Sequence, residues 1–527
     1  MHIRKLVTRG ALALSFTVGA AFAAQAQSVI HMGASGEPDS LDPHFASGTW
    51  ENRVIGDMFI GLLTEAADGT AIPGAATDWT ISDDGLVYTF DLRDGAVWSD
   101  GEPVTANDFV FSLQRILTPE TAAQYASLLY PIANAEAVNS GDADPSELGA
   151  RAIDDDTLEI TLAQPTPFFL ELLTHYTAWP VPQHVVEEHG NAWVRPENIQ
   201  VNGPYILQEW IPQTHVHLAR NDMFWDNDNV AIDEVYWYPT EDRSAALRRF
   251  RAGELDANTD FASEQIDFLR SEMPDSYRIA PYLGIYYYPI NSTDPALADP
   301  NVRMALNLAV NREAITDQVL RTGEIPAMSF VPPIPGYEPA DAPYEDMSYE
   351  DALAEAQALM EGAGYGPDDR LSLVLRYNTS ENHRRIAVAI ASMWQQIYVD
   401  TELFNTDVAV HYNDLEQGDF QVARAGWIAD YPDAQNFLYL LEEGINFNYG
   451  RWENEEFNQL MDEAMQTIDL EARAEIMREA EAIALNDAAN IPIYYYVSKN
   501  LVAPHVIGWV DNTKDIHRTR WLSLDNS

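Results

Sequence analysis

The chain has 527 residues, of which 46% are hydrophobic and 11% aromatic, and its formal net charge is −53. That length exceeds what one hydrophobic core normally serves, so we expect roughly two to four domains. The charge argues against nucleic acid and against anionic membrane surfaces as partners, because both would repel the chain.

The acidic residues are spread along the whole chain, whereas lysine occurs only at Lys5, Lys499 and Lys514. Interspersed aromatic residues exclude a disordered acidic tail. Such a surface is typical of adaptation to high salt, since the Debye length falls to about 3 Å in molar salt and self-repulsion becomes tolerable.

The first 26 residues indicate export. Arg4, Lys5 and Arg9 precede a short apolar stretch and a small-residue cleavage motif that ends at Ala26. The stretch is shorter than the roughly 20 residues that span a membrane, so we interpret residues 1–26 as a signal peptide. The chain has no cysteine, which excludes disulfides, thiol catalysis and a cysteine-linked lipid. We expect a soluble periplasmic protein without a lipid anchor.

Hydrophobic periodicity and turn residues predict a mixed order of elements. The predicted strands are 28–33, 79–82, 87–92, a hairpin over 154–162, 205–210, 282–291, 371–377, 420–427 and 491–497, with a β-rich end over 501–522. The predicted helices are 52–63, 106–116, 165–174, 244–251, 301–310, 349–362, 382–397 and two over 454–485. This order predicts α/β layers with an antiparallel addition around 70–165, and domains that interleave along the chain.

Signatures of catalysis are missing from the chain. It has no G-x-S-x-G elbow, phosphate loop or H-E-x-x-H motif. His215 and His217 alternate on one strand, and His184 and His189 miss a common helical face, so we interpret both pairs as structural and predict neither a metal site nor a cofactor.

Residues 421–438 carry an unusual set of side chains. Arg424, Gly426, Trp427 and Asp430 fall within seven residues, and a core strand seldom contains two charges unless they are paired. One interpretation is an Arg424–Asp430 salt bridge at a strand end. The other is a short strand with a free edge that holds an extended, zwitterionic ligand: Gly426 lets its backbone approach, Trp427 forms a pocket wall, and the two charges meet its termini.

Seven stretches in order resemble the oligopeptide-binding proteins of ABC importers, within solute-binding protein family 5 (the dipeptide, oligopeptide and nickel type). They are SLDPH at 40–44, the stretch 97–115, NGPY at 202–205, YYYPIN at 286–291, and the stretches 377–396, 423–431 and 491–502. The resemblance covers essentially the whole mature chain. It implies the two-lobed type II periplasmic-binding-protein fold, α/β in class, with an additional α+β domain.

The resemblance also implies domain boundaries. Lobe I would comprise 27–49, 183–283 and 498–527, the additional domain 50–182, and lobe II 284–497. Two strands would cross between the lobes near 283–284 and 497–498 and act as the hinge.

Carried over residue by residue, the resemblance assigns roles in ligand binding. Asp430 would pair with a peptide α-ammonium, and Arg424 and His383 would serve the carboxylate end. Gly426 and Trp427 would pair with the peptide backbone. Glu37, in the first loop, would cross from the other lobe, and Tyr125 falls where a tyrosine lines the cleft.

Some positions depart from relatives. Asn307 and Leu415 stand where several relatives have cations, and Ile428 and Gly284 stand where some have a disulfide. With Arg424 as the main remaining cation, we expect a narrower range of peptide lengths, which equal affinity for dipeptides through pentapeptides would contradict.

These residues predict the solute-binding component of an ABC importer, a non-enzymatic and monomeric protein that delivers short peptides to membrane permease subunits. A binder of murein peptides is an alternative, because it would share Asp430 and the RAGW motif. A nickel, haem or sugar binder of the same superfamily is another. A secreted peptide hydrolase is the rival from a different class, although its nucleophile and metal motifs are missing.

Overall fold

A computed structural model describes residues 27–525, so the signal peptide predicted at 1–26 lies outside the described residues. In chain order the strands are β1 Val29–Ala34, β2 Leu63–Glu65, β3 Ala71–Pro73, β4 Ala76–Ile81, β5 Val87–Leu92, β6 Ala150–Ala152, β7 Thr157–Thr161, β8 Tyr205–Ile211, β9 His215–Arg220, β10 Glu234–Pro239, β11 Ala257–Thr259, β12 Tyr277–Pro289, β13 Ile325–Pro326, β14 Leu371–Asn378, β15 Val399–Thr406, β16 Val422–Ala423, β17 Ala425–Ile428, β18 Asn490–Val502, β19 Val506–Ile507 and β20 Ser523–Leu524.

The α-helices are distributed between these strands. They are α1 Thr49–Met58, α2 Ala106–Leu117, α3 Ala135–Ser140, α4 Phe169–Leu172, α5 Gln183–His189, α6 Arg243–Arg251, α7 Ile266–Glu272, α8 Pro300–Leu308, α9 Arg312–Ala314, α10 Tyr349–Gly362, α11 Glu381–Gln395, α12 Val408–Gln417, α13 Gln435–Leu438, α14 Glu455–Gln466 and α15 Leu470–Asn486. Several follow from local chemistry. Before α2, for example, the backbone N–H of Thr105 donates to the Asp108 carboxylate at 2.9 Å, and Phe109, Leu113 and Ile116 recur at helical spacing on the buried face.

The largest sheet has nine strands and determines the layout. Its order is β17-β12-β18-β11-β1-β10-β9-β8, and β13 adds to β18. In its centre β1 runs parallel to β10 and β11. The 13-residue strands β12 and β18 pair antiparallel along their length, with a shift in register between Pro281 and Ile285. One end of this pair therefore adjoins the parallel strands and the other adjoins β17.

Among the described residues two smaller sheets of three and four strands add to the layers, besides the two-stranded pairs β2-β3 and β19-β20. Strands β4-β5-β7-β6 form an antiparallel sheet, which accounts for the predicted addition around 70–165. Strands β15-β14-β16 form a second, parallel sheet. The buried apolar residues separate accordingly: one cluster draws mainly on residues 30–257, and two others on residues 283–495. The predicted α/β layers with an α+β addition match this arrangement, while the domain boundaries given above stay a prediction.

Most predicted elements are present, with three corrections. The helix predicted over 165–174 is reduced to Phe169–Leu172. The β-rich end predicted over 501–522 is wrong, because β19 and β20 have two residues each. Polar side chains there bond to other elements instead of forming a ladder: Thr519 donates to Asp57 and Arg518 to Glu65. The strand predicted over 420–427 is divided into β16 and β17. Within residues 27–525 no helix is long and apolar enough to cross a membrane.

Candidate functional site

Strand β17 lies at the edge of the nine-stranded sheet. It pairs antiparallel with β12, placing Gly426 opposite Tyr286 and Ile428 opposite Gly284. In the described part of the chain no strand covers its other edge. Such an edge presents unpaired backbone groups to which an extended chain can add.

Arg424 marks the point at which the chain passes from one sheet to another. Val422 and Ala423 pair with β14, and the N–H of Arg424 donates to the carbonyl of Arg376 at 2.8 Å. From Ala425 onward the partner is β12. The division of the predicted strand therefore results from a change of partner at this arginine.

The guanidinium of Arg424 is buried among neutral acceptors. It donates to the hydroxyls of Tyr496 and Tyr412 at 2.9 and 3.1 Å and to Asn378 Oδ1 at 3.2 Å. It also lies 5.0 Å from the ring centroid of Tyr286. Among residues 27–525 no carboxylate is within ion-pairing distance of it. The interpretation of Arg424 and Asp430 as a salt bridge is therefore wrong.

Within residues 27–525 Asp430 lacks a cationic partner as well. Its backbone N–H donates to Asn436 Oδ1 at 3.3 Å, and the same oxygen accepts from the Trp427 indole at 2.9 Å. Burial raises the pKa of the Asp430 carboxyl to about 7, against the opposing effect of a hydrogen bond with the Asn436 side chain. A cation entering here would restore the charged form.

Asp430 opens onto a cavity of about 130 Å³ that Tyr125, Tyr176 and Tyr282 also line. The other charged groups of the lining have partners, which are Arg53 with Asp515 at 2.6 Å, Lys514 with Glu171 at 2.9 Å, and Glu65 with Arg518 at 3.2 Å. Within the described lining Asp430 is thus the carboxylate left without a countercharge. The structure places the predicted residues Tyr125 and Asp430 together.

His383 lies at the Arg424 end of β17. Its Nδ1 is 3.3 Å from the Tyr286 hydroxyl, whose ring also contacts Arg424. Burial, together with the smaller effect of the Arg424 charge, lowers the pKa of His383 to about 2. His383 is therefore a neutral neighbour of the arginine.

Gly426 and Trp427 present opposite faces of β17. A Cβ at Gly426 would lie 2.7 Å from the Tyr496 hydroxyl and 3.0 Å from the Arg424 guanidinium. Glycine at this position therefore leaves room for the hydrogen bond that Arg424 donates to Tyr496. Trp427 faces the other way, with ring centroids 5.8 Å from Tyr439 and 5.1 Å from Phe447.

The structure does not bring Glu37 to this cavity. Its carboxylate accepts from the Trp210 indole at 3.1 Å and from the N–H of Gln213 at 2.9 Å, both in the β8–β9 hairpin. Its assignment to ligand contact stays a prediction.

Three of the four departures from relatives are buried, whereas Ile428 is half-buried and lines the cavity beside Asp430. Asn307 and Leu415 are fully buried, and Asn307 accepts a hydrogen bond from Arg312. Ile428 and Gly284 are paired neighbours on β17 and β12.

Sequence reasoning missed the groups that hold the two charges in place. Tyr496, Tyr412 and Asn378 accept from the two terminal nitrogens of Arg424, whose buried Nε has no partner among the described residues. Asn436 links Trp427 to Asp430. Asn378 and Tyr496 lay inside recognised stretches, but nothing in the pattern separates a hydrogen-bonding tyrosine from a core one. Among residues 27–525 no group of three or more His, Asp or Glu side chains could hold a metal ion.

The family model of the bacterial extracellular solute-binding proteins, family 5, matches residues 70–449. The chain belongs to this family. The periplasmic murein peptide-binding protein MppA of Escherichia coli is 38% identical over 493 residues, covering 93% of this chain and 91% of that protein. The periplasmic oligopeptide-binding protein OppA of Escherichia coli is 37% identical over 529 residues, covering 97% of each.

Solved structures of family 5 proteins share the fold. The unliganded open form of MppA matches with a TM-score of 0.83 and 37% identity, over 95% of this chain and 98% of that one. Haemophilus influenzae OppA in complex with RPPGFSPFR matches with a TM-score of 0.81 and 35% identity, over 95% and 99%. The resemblance and the fold class predicted from the sequence are thereby confirmed.

Proposed function

We propose that this family 5 protein binds short peptides in an extended form along the free edge of β17. The α-ammonium pairs with Asp430 and the carboxylate end meets Arg424, with His383 beside it. The peptide runs antiparallel to β17, because its amino end lies at the C-terminal end of the strand.

The single observation that carries this proposal is the pair of isolated opposite charges at the two ends of one free strand edge. Buried charges without partners are costly, and a zwitterionic peptide supplies both countercharges at once. Main-chain pairing with β17 adds affinity that does not depend on the peptide's sequence.

The relatives' names support the wider role. The two relatives from Escherichia coli are named as periplasmic peptide-binding proteins. We propose the same role for this protein: it is exported, monomeric and non-enzymatic, closes over its ligand, and passes the ligand to the membrane subunits of an ABC importer. Incubating the purified protein with peptide and checking for cleavage tests the non-enzymatic part.

The substitution Asp430→Asn tests the ammonium anchor. By titration calorimetry at pH 7.5 we expect it to weaken binding of free-amine peptides by about 2 kcal/mol or more, because an ionic partner is lost from an enclosed site. N-acetylated peptides should bind weakly to the wild type and to Asp430→Asn alike.

Asp222→Asn is the matched control, since the Asp222 side chain is 86% exposed and away from the cavity lining. It should leave affinity unchanged. Equal binding of free and acetylated peptides by the wild type would overturn the anchor.

The similarity to MppA supports a second candidate, a murein peptide as the ligand. Mass spectrometry of the ligand that co-purifies with the protein separates the two, because a murein peptide contains residues absent from ordinary peptides.

A further inference from the structure

Five aromatic rings follow one another beside β17. Tyr412 and Tyr449 have ring centroids 6.2 Å apart, and Tyr449 is 6.4 Å from Phe447. Phe447 is 5.1 Å from Trp427, which is 5.8 Å from Tyr439. We name this series the aromatic wall.

The aromatic wall connects the two isolated charges. At one end the Tyr412 hydroxyl accepts from Arg424 at 3.1 Å. At the other end Tyr439 lies close to Asp430, whose charge adds to burial in raising the pKa of that tyrosine. The wall therefore runs beside the line along which the proposed ligand lies.

The rings of the aromatic wall remain partly exposed to solvent. Tyr412, Tyr439, Tyr449 and Trp427 rest against the core of their region and remain half-buried. Phe447 is 37% exposed although it is a large apolar side chain. A single exposed ring would need no explanation. A series of rings beside a free strand edge, however, offers an apolar surface to the side chains of a ligand that pairs with that edge.

We propose that the aromatic wall is a specificity subsite that selects peptides with an apolar or aromatic side chain on the Trp427 face of β17. This inference rests on the proposed function and adds a preference to the sequence-independent pairing of the backbone.

The alternating direction of side chains in an extended peptide determines which ligand residues can reach the aromatic wall. Successive side chains point to opposite faces, so alternate ligand residues meet the wall while their neighbours point toward the Tyr286 face. Glu442 and Glu443, directly before the loop that carries Phe447, disfavour an acidic side chain at the same position.

Titration calorimetry with tetra-alanine and with four peptides that carry one phenylalanine at each position tests this. The wild type should bind a phenylalanine peptide of the favoured position about tenfold more tightly than tetra-alanine, a difference of about 1.4 kcal/mol. In Phe447→Ala that ratio should fall to about twofold or less, as expected for the loss of an apolar contact surface. Phe447→Leu should keep most of the preference.

Phe404→Ala is the matched control. Phe404 is 43% exposed and lies on β15, over the Arg376 guanidinium, and its removal should leave the ratio unchanged. If tetra-alanine binds but no position prefers phenylalanine, or if Phe447→Ala keeps the full preference, the subsite is refuted and the proposed function stands. If none of the five peptides binds, both are refuted.

Discussion

The two isolated charges of the cleft are held in opposite ways. Arg424 is surrounded by three neutral acceptors, the hydroxyls of Tyr496 and Tyr412 and the amide oxygen of Asn378. Among the described residues the Asp430 side chain has one hydrogen-bond partner, Asn436, and burial raises the pKa of its carboxyl to about 7. Neither charge has a countercharge among the described residues, but Arg424 donates three hydrogen bonds, with only its Nε unpaired, whereas Asp430 has far fewer polar partners.

The difference follows from the chemistry of the two groups. A guanidinium has five donors and stays protonated in proteins, so neutral oxygens can accommodate it without loss of charge. A carboxylate removed from water and given few donors takes up a proton instead. Ligand binding should therefore change protonation at Asp430 and leave Arg424 charged throughout.

The largest effect should come from removing the basic pole. In Arg424→Gln, peptides with a free carboxylate should bind about 1.5–3 kcal/mol more weakly, because a hydrogen bond to a charged group is lost. C-terminally amidated peptides should be affected much less, and calorimetry with both forms measures the difference. An equal loss for both forms would show that Arg424 supports the fold of the site and does not meet the ligand carboxylate.

The acidic pole should give the next effect, a dependence of affinity on pH. The ligand-free carboxyl of Asp430 has a pKa of about 7, and only its ionised form pairs with an ammonium. Affinity for free-amine peptides should therefore be near its maximum at pH 7–7.5 and fall as the pH is lowered. Well below pH 7 the loss approaches about tenfold per unit, since one proton must be displaced on binding.

Asp430→Asn supplies the control, because its affinity profile should be flat between pH 5 and 7. Binding should also release a proton at pH 7, which calorimetry in buffers of different ionisation enthalpy detects. An affinity that rises as the pH is lowered would contradict the assignment.

Added salt should change peptide affinity least of all, whereas it should measurably change the stability of the whole molecule. The net charge of −53 makes self-repulsion large, and screening should raise the temperature of unfolding by several degrees as KCl increases toward 1 M. Enclosed charges are screened less, so peptide affinity should change little over the same range. Stability that is flat or falls with KCl would refute the high-salt adaptation.

Much of the fold was predictable from local pattern. The helix predicted at 106–116 and the strand at 87–92 are present almost to the residue, because amphipathic periodicity and an N-capping threonine are local signals. The end of the chain was not predictable in this way. Alternating residues over 501–522 suggested strands, yet side chains such as those of Thr519 and Arg518 bond to residues far away in sequence.

The candidate site shows the same division. The short span from Arg424 to Asp430 was recognisable by its composition, and Tyr125 could be assigned through family resemblance. Glu37 was assigned in the same way, but its carboxylate is occupied by Trp210 and Gln213. Family resemblance predicts which sequence position corresponds to a known site residue. The hydrogen-bond partner of the side chain at that position depends on the packing around it.

The sequence by itself predicted the family, most of the longer strands and helices, and a pair of opposite charges around Gly426 and Trp427. Only the tertiary structure decided that Arg424 and Asp430 do not pair, that the chain changes sheets at Arg424, and that no strand within residues 27–525 pairs with the outer edge of β17. Two of the three side-chain partners of Arg424, Asn378 and Tyr496, lie 46 and 72 residues away along the chain. Such distant neighbours set the burial and the hydrogen bonding of a charged group. They therefore determine how far each of the two charges is stabilised in the absence of a ligand.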